Sequence, residues 1–238
     1  MSRRLVGAVF ALCTLGAVAP AVEASERAAA HGSLRAWLVA GFWALKLAIV
    51  AAFSYFVMRR PPSERRAREP LAFVACAAAL GAAVALRSPD ASSSTTALLA
   101  GEALAVASCA WLLTSVLALG RCFGVLPEAR GLVTRGPYRL VRHPVYLGEL
   151  AASLGLVLGA PTAWNLTAAG VMLVAQLVRM RLEERALEGA FPEYAAYAAR
   201  TPRIVPWPTQ WRAARPATAR HARVSQSHPS PLPSDGRA

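Results

Sequence analysis

The chain has 238 residues, 55% of them hydrophobic, and a formal net charge of +13 from 26 basic against 13 acidic side chains. The apolar residues fall in long blocks, which excludes an ordinary soluble domain: a membrane-crossing helix needs about 20 mostly apolar residues, and several windows here reach that length. The charge is almost all arginine, Lys46 being the single lysine. No basic patch is interleaved with the aromatics that stack on single strands, so no nucleic-acid partner is expected, and the excess reports topology and contact with anionic membrane lipids.

The first apolar block runs from about Leu5 to Val22, behind Arg3 and Arg4. Residues 1–24 read as a transmembrane helix or as a signal-like segment with a small-residue cleavage site near Val22-Glu23-Ala24. Residues 34–120 hold three further blocks, at about 34–58, 70–86 and 97–120. Between the first two of these lies a loop with Arg59, Arg60, Arg65, Arg66 and Arg68 against Glu64 and Glu69, which the positive-inside rule places in the cytoplasm. The Ser/Thr run ending at Thr96 then lies on the opposite side. Lys46 is an intramembrane charge, for which a pairing with Glu102 and a snorkelling side chain or helix offset are equal readings.

Residues 121–143 carry Arg121, Arg130, Arg135, Arg139, Arg142 and His143, and form a cytoplasmic loop, since such charges are costly in hydrocarbon. A short block at about 145–158, the break Gly159-Ala160-Pro161, and a second block at about 162–178 predict a helical hairpin that dips into the membrane and returns Arg179 to the face carrying His143. Residues 183–200 read as an amphipathic helix pair split at Pro192. The segment 207–238 reads as a disordered basic tail. The fold class is therefore all-α: about four transmembrane helices, a C-terminal hairpin and cytosolic amphipathic helices, with 121–206 as the catalytic region.

Cys13, Cys76, Cys109 and Cys122 form no C-x-x-C pair, so neither a metal site nor a disulfide framework is expected. The densest polar stretch is Gly131 to Gly148, with Gly136-Pro137 as a turn and Pro144 suited to the first position of a helix. That helix N-terminus favours an anionic ligand group, and His143 stands just before it. Arg179 and Glu183, four apart, share a helix face.

The pattern Gly-Pro-Tyr-Arg-x-Val-Arg-His-Pro-x-Tyr-x-Gly, then an apolar hairpin and Arg-x-x-x-Glu-Glu, resembles the isoprenylcysteine carboxyl methyltransferase family and the related membrane phospholipid methyltransferases, over about residues 119–206. The resemblance implies a multi-helix membrane enzyme binding S-adenosylmethionine at the cytosolic face. It assigns Arg130, Gly131, Leu132, Val133, Tyr138, His143, Pro144, Val145, Tyr146 and Glu183 to the cofactor, and Arg179 to the substrate. It implies an acceptor that is prenylated or lipid-like, methylated on a carboxylate or other polar head, in a bacterial inner membrane with the site facing the cytoplasm. Arg179 would orient the acceptor and His143 would hold the cofactor, these two being the expected catalytic residues. One departure is visible: Phe191-Pro192-Glu193-Tyr194 stands where the family has Phe-Gly-x-Glu-Tyr. Sterol-type membrane reductases use a similar Arg-His-Pro-x-Tyr-x-Gly-Glu step, matched here through Glu149. An NADPH-dependent reductase, or a non-catalytic membrane protein, is the alternative.

Overall fold

The computed structural model describes residues 3–59, 65–66, 70–87, 94–124 and 126–205. Seven helices account for most of these: α1 (Arg3–His31), α2 (Leu34–Arg59), α3 (Pro70–Ala85), α4 (Thr95–Leu119), α5 (Pro144–Gly159), α6 (Ala163–Ala190) and α7 (Tyr194–Arg200). The apolar blocks set α2 to α5 almost residue for residue. Ser94 caps α4 by accepting from the Ala97 N–H, Thr162 caps α6 by accepting from the Asn165 N–H, and Pro144 opens α5 at its first turn. The loop residues 88–93, most of the arginine loop at 60–69 and the 207–238 tail lie outside the described residues.

Two segments, Leu34–Arg59 and Thr95–Cys122, are long and apolar enough to cross a membrane; α3 and α5 are shorter apolar helices. At 1.5 Å per residue a 16-residue helix is about 24 Å long, short of a bilayer core of about 30 Å. The expected count of four crossings is therefore larger than length and composition establish. Exposed large apolar side chains line the outside, including Trp37, Phe73, Val74, Leu80, Leu154, Leu166 and Val174. Such a surface belongs against lipid, since soluble monomers rarely expose large apolar patches, and the chain reads as a membrane protein.

α1 pairs with α2, α2 with α4, α4 with α5, and α3 with α6. The α4–α5 contact is the tightest. A Cβ on Gly155 would lie 2.6 Å from the Gly101 carbonyl oxygen and 2.9 Å from the Ala105 nitrogen, and one on Gly148 would lie 2.9 Å from Leu112 Cβ. Small residues let the backbones approach where lipid supplies no hydrophobic drive between helices. Below that seam Ile49, Cys109, Leu112 and Val116 form a core, with Val145 packed against it.

Two sequence expectations need correction, and one pairing is added. The second arm of the hairpin does not stop near 178: α6 runs unbroken from Ala163 to Ala190 and carries Arg179, Glu183 and Glu184 on the same helix. Leu and Arg in that stretch are good helix formers, and no glycine or proline interrupts before Gly189. The two arms also pack mainly on other helices, α5 on α4 and α6 on α3. Second, the fold is all-α as expected and gains one two-residue pairing, Arg65–Arg66 antiparallel with Glu128–Ala129, which ties the arginine loop to the loop after α4. Third, Glu102 pairs with Arg35 at 3.0 Å, while the Lys46 ammonium lies 5.4 Å from the ring centroids of Phe42 and Trp43.

The hairpin turn is held by one side chain the sequence did not single out. Asn165, fully buried, donates to the Arg87 and Ala160 carbonyls and accepts from the Arg87 N–H. Trp164 Nε1 donates to the Ala85 carbonyl, and the Arg87 guanidinium covers its ring. The exposed backbone at the end of α3 and the Gly-Ala-Pro turn are thereby satisfied together.

Candidate active site

At the other end of the bundle, the end of α4, the loop 120–143, the start of α5 and the last turns of α6 converge. Gly136, at φ +60°, turns the chain into a single 3-10 turn, Gly136–Arg139, with Pro137 behind it; glycine takes that left-handed conformation without strain. Tyr138 is thereby buried, and its carbonyl accepts from the Tyr197 hydroxyl at 2.7 Å. Trp111 on α4 donates through Nε1 to the Pro144 carbonyl at 2.9 Å and fixes the start of α5.

His143 precedes α5, 3% exposed. Its Nε2 lies 3.0 Å from Glu184 Oε1. An ionised carboxylate only accepts, so Nε2 carries the proton. Glu184 also pairs with Arg142 at 2.9 Å and with Arg203. Burial works to raise the Glu184 carboxyl, but the His143 and Arg203 hydrogen bonds and the Arg142 charge outweigh it and hold it at about 2. Glu184 is thus a hub. It joins α6, the start of α5 and the strap after α7, whose Pro202 and Arg203 carbonyls accept from the Arg142 and His143 N–H groups.

Glu183 points elsewhere, because neighbouring helix residues are turned about 100° apart. It accepts from the Tyr146 hydroxyl at 2.7 Å and faces a cleft. That cleft is lined by the loop Gly131-Leu132-Val133, by Tyr138, Arg142 and His143, and by Glu183, Leu187, Tyr194 and Tyr197, with Leu119 and Cys122 as its floor. A Cβ on Gly131 would meet the Cys122 sulfur at 2.7 Å, so glycine is needed there. Among the described residues the backbone of 131–133 makes no backbone–backbone hydrogen bond. The cleft volume is about 30 Å³, room for a water or two.

Of the positions that the sequence marked for a cofactor, Gly131, Leu132, Val133, Tyr138, His143 and Glu183 share this cleft. Arg130 is buried beside the loop and does not line it. Pro144 is buried under Trp111, Val145 faces the α2–α4 core, and Tyr146 stands in the wall between Glu183 and Arg179. Arg179 lies behind that wall, 4.9 Å from the Tyr146 ring centroid, donating to Gln176 at 2.8 Å and 3.8 Å from Glu149. Arg179, which shares a helix face with Glu183, thus stands in a buried cluster with Glu149 and Gln176. Sequence reasoning gave no role to Glu184, Arg142 or Arg203, and treated Tyr194 and Tyr197 as an apolar helix face. The Phe191-Pro192-Glu193-Tyr194 departure forms a tight turn, with the Tyr194 N–H on the Phe191 carbonyl, and it seats Tyr194 at 1% exposure. The doubling of Glu183-Glu184 was the available signal: two adjacent carboxylates on a helix must serve two different faces.

Comparison with known proteins bears on this end of the chain. Residues 93–194 match the family model described as phospholipid methyltransferase. The chain is 46% identical over 78 residues to the cobalt-zinc-cadmium resistance protein CzcN of Cupriavidus metallidurans, covering 32% of this chain and 35% of that one. It is 38% identical over 79 residues to the nickel-cobalt-cadmium resistance protein NccN of Alcaligenes xylosoxydans xylosoxydans, covering 32% and 36%. The chain thus spans about a third of the length of the curated relatives it matches.

Proposed function

We propose, from the match of residues 93–194 to the phospholipid methyltransferase family model, that the chain is an S-adenosylmethionine-dependent membrane methyltransferase acting on a lipid-like acceptor. The observation that carries it is the convergence of Gly131, Leu132, Val133, Tyr138, His143 and Glu183 on one cleft beside the membrane-facing helices. The residues suit the cofactor chemically. Glu183 supplies a carboxylate for an amino group or a ribose, the backbone of 131–133 supplies hydrogen bonds, and the tyrosines supply flat apolar surface. Bound there, the cofactor supplies a methyl group on a sulfonium.

The chain's own task is alignment, since displacement at a methyl group needs the reacting atoms held in line. His143, fixed through Glu184 to α6 and through its N–H to the strap, holds the loop against α5. Tyr146 links the two halves, its hydroxyl on Glu183 and its ring under Arg179. Arg179 then meets the acceptor's polar head from the membrane side. At about 30 Å³ the cleft is too small for the cofactor, so its entry requires the 131–134 loop or the α7 strap to part, the kind of loop rearrangement binding often brings.

Glu149 separates the two acceptor chemistries. If the acceptor is a carboxylate oriented by Arg179, it shares that guanidinium with Glu149, and E149Q strengthens acceptor binding. If the acceptor is an amine or hydroxyl, Glu149 is the nearby base, and E149Q lowers turnover by about 10²-fold or more. The primary test is a thermal shift on the purified chain. Stabilisation by S-adenosylmethionine and transfer of labelled methyl to a lipid extract are expected. Stabilisation by NADPH alone would overturn the assignment in favour of a reductase.

A further inference from the structure

A second cavity, of about 530 Å³, lies at the opposite end of the bundle, between the α1–α2 turn, the start of α4 and the end of α5. Glu102 and Leu119 are seventeen residues apart on α4, so the cavity and the cleft are separated by about 25 Å of helix. The volume falls in the range of roughly 300–1,000 Å³ usual for small-molecule sites.

Its charged lining is Arg27 and His31 from α1, Arg35 from the start of α2 and Glu102 from α4; Leu38 and Phe42 follow along α2, with Leu156 from α5. From Arg35 to Phe42 is seven residues of α2, about 10 Å of helix. Arg35 uses Nε to hold Glu102 Oε1 at 3.0 Å, and its side chain remains 48% exposed. Glu102 Oε2 is buried and has no hydrogen-bond partner among the described residues. A buried carboxylate oxygen without a donor is costly, and this one belongs to a residue that lines the cavity.

We propose that this cavity binds a zwitterionic phospholipid head and the upper part of its chain, with a primary ammonium donating to Glu102 and the phosphate meeting Arg35. Charge complementarity selects this occupant. The lining pairs one anion, short of a donor, with the half-exposed Arg35, while the second guanidinium, Arg27, is held by Glu23 at 2.7 Å, and an apolar slot leads away from them. A head with phosphate alone leaves Glu102 unsatisfied and repels it. A quaternary ammonium brings charge but no N–H. The site is independent of the cleft and of the reaction assigned to it.

The test is lipid retention by the full chain in detergent, read by native mass spectrometry, with phosphatidylethanolamine, phosphatidylcholine and phosphatidylglycerol offered at equal concentration. Preferential retention of phosphatidylethanolamine is expected, falling about tenfold or more in E102Q, the scale of one lost charge-assisted hydrogen bond. Leu38→Trp, which fills the slot and leaves the charged lining intact, should abolish retention. The Tm of each lipid-free variant checks folding separately, and S-adenosylmethionine binding in E102Q should match the parent chain whenever the parent binds it. Equal retention of phosphatidylcholine, a preference for phosphatidylglycerol, or retention unchanged in both variants would overturn the assignment.

Discussion

The two ends of the α4–α5 pair are built in opposite ways. At the cleft end the carboxylates are satisfied: His143, Arg142 and Arg203 close on Glu184, Tyr146 closes on Glu183, and about 30 Å³ is left, with Arg142 Nε and the Tyr194 hydroxyl buried without a hydrogen-bond partner among the described residues. At the far end the cavity is about 530 Å³, and one oxygen of Glu102 has no donor among the described residues. A network satisfied within the protein rigidifies and positions; a half-satisfied one invites a ligand. The cleft end therefore has to open to work, while the far end has only to be filled.

Both ends hang on the glycine seam, and breaking it gives the largest expected effect. Gly155→Leu drives a side chain into the Gly101 carbonyl and Ala105. It should separate α4 from α5 and lower the yield of folded protein below detection in a detergent-extraction assay. Next is the Glu184 hub. E184Q leaves Arg142 and Arg203 beside a neutral amide, at a cost of about 3 kcal/mol by the scale of a broken buried pair. It should lower Tm while lipid retention at the far cavity, measured on the folded fraction, is unchanged. The same variant should alter acid stability. With its carboxyl held at about 2 against an ordinary 4.5, Glu184 stabilises the fold fully above about pH 4.5, and that contribution is lost as pH falls toward 2. E184Q should flatten this part of the unfolding profile. The smallest effect is expected from Y197F, which removes the hydroxyl donated to the Tyr138 carbonyl. The loss is about 1 kcal/mol and should be seen as faster hydrogen exchange in 136–140 with α1–α3 unaffected.

The contrast between the ends also marks what could be read in the sequence. Helix positions were legible because apolar blocks and caps are local: Pro144 opens α5, and Pro192 ends α6 two residues on. The Gly-Pro-Tyr and Arg-His-Pro steps located the cleft because turn chemistry and a helix start are also local. Partnerships were less legible. Arg179 and Glu183 share a helix face by spacing, yet Arg179 is held by Glu149 on α5, 30 residues earlier, and Glu183 by Tyr146. Lys46 and Glu102 looked like partners as membrane charges, but Arg35 stands nearer the start of α2, level with the start of α4, and takes Glu102 instead. Which helix packs on which decides such pairs, and hydropathy carries no information about it. The continuous α6 was hidden for a related reason: its apolar run ends near Val178 while its helix does not.

The central claim is that Glu183 faces a bound cofactor while Glu184 only builds the site. Photo-crosslinking of labelled S-adenosylmethionine to the detergent-purified chain, for the parent, E183Q and E184Q, tests it most directly. Labelling within 131–146 and 183–197 is expected in the parent. In E183Q it should fall about tenfold or more with Tm nearly unchanged, and in E184Q it should fall only as far as the folded fraction does. Full labelling in E183Q, or no labelling of the folded parent, would contradict it.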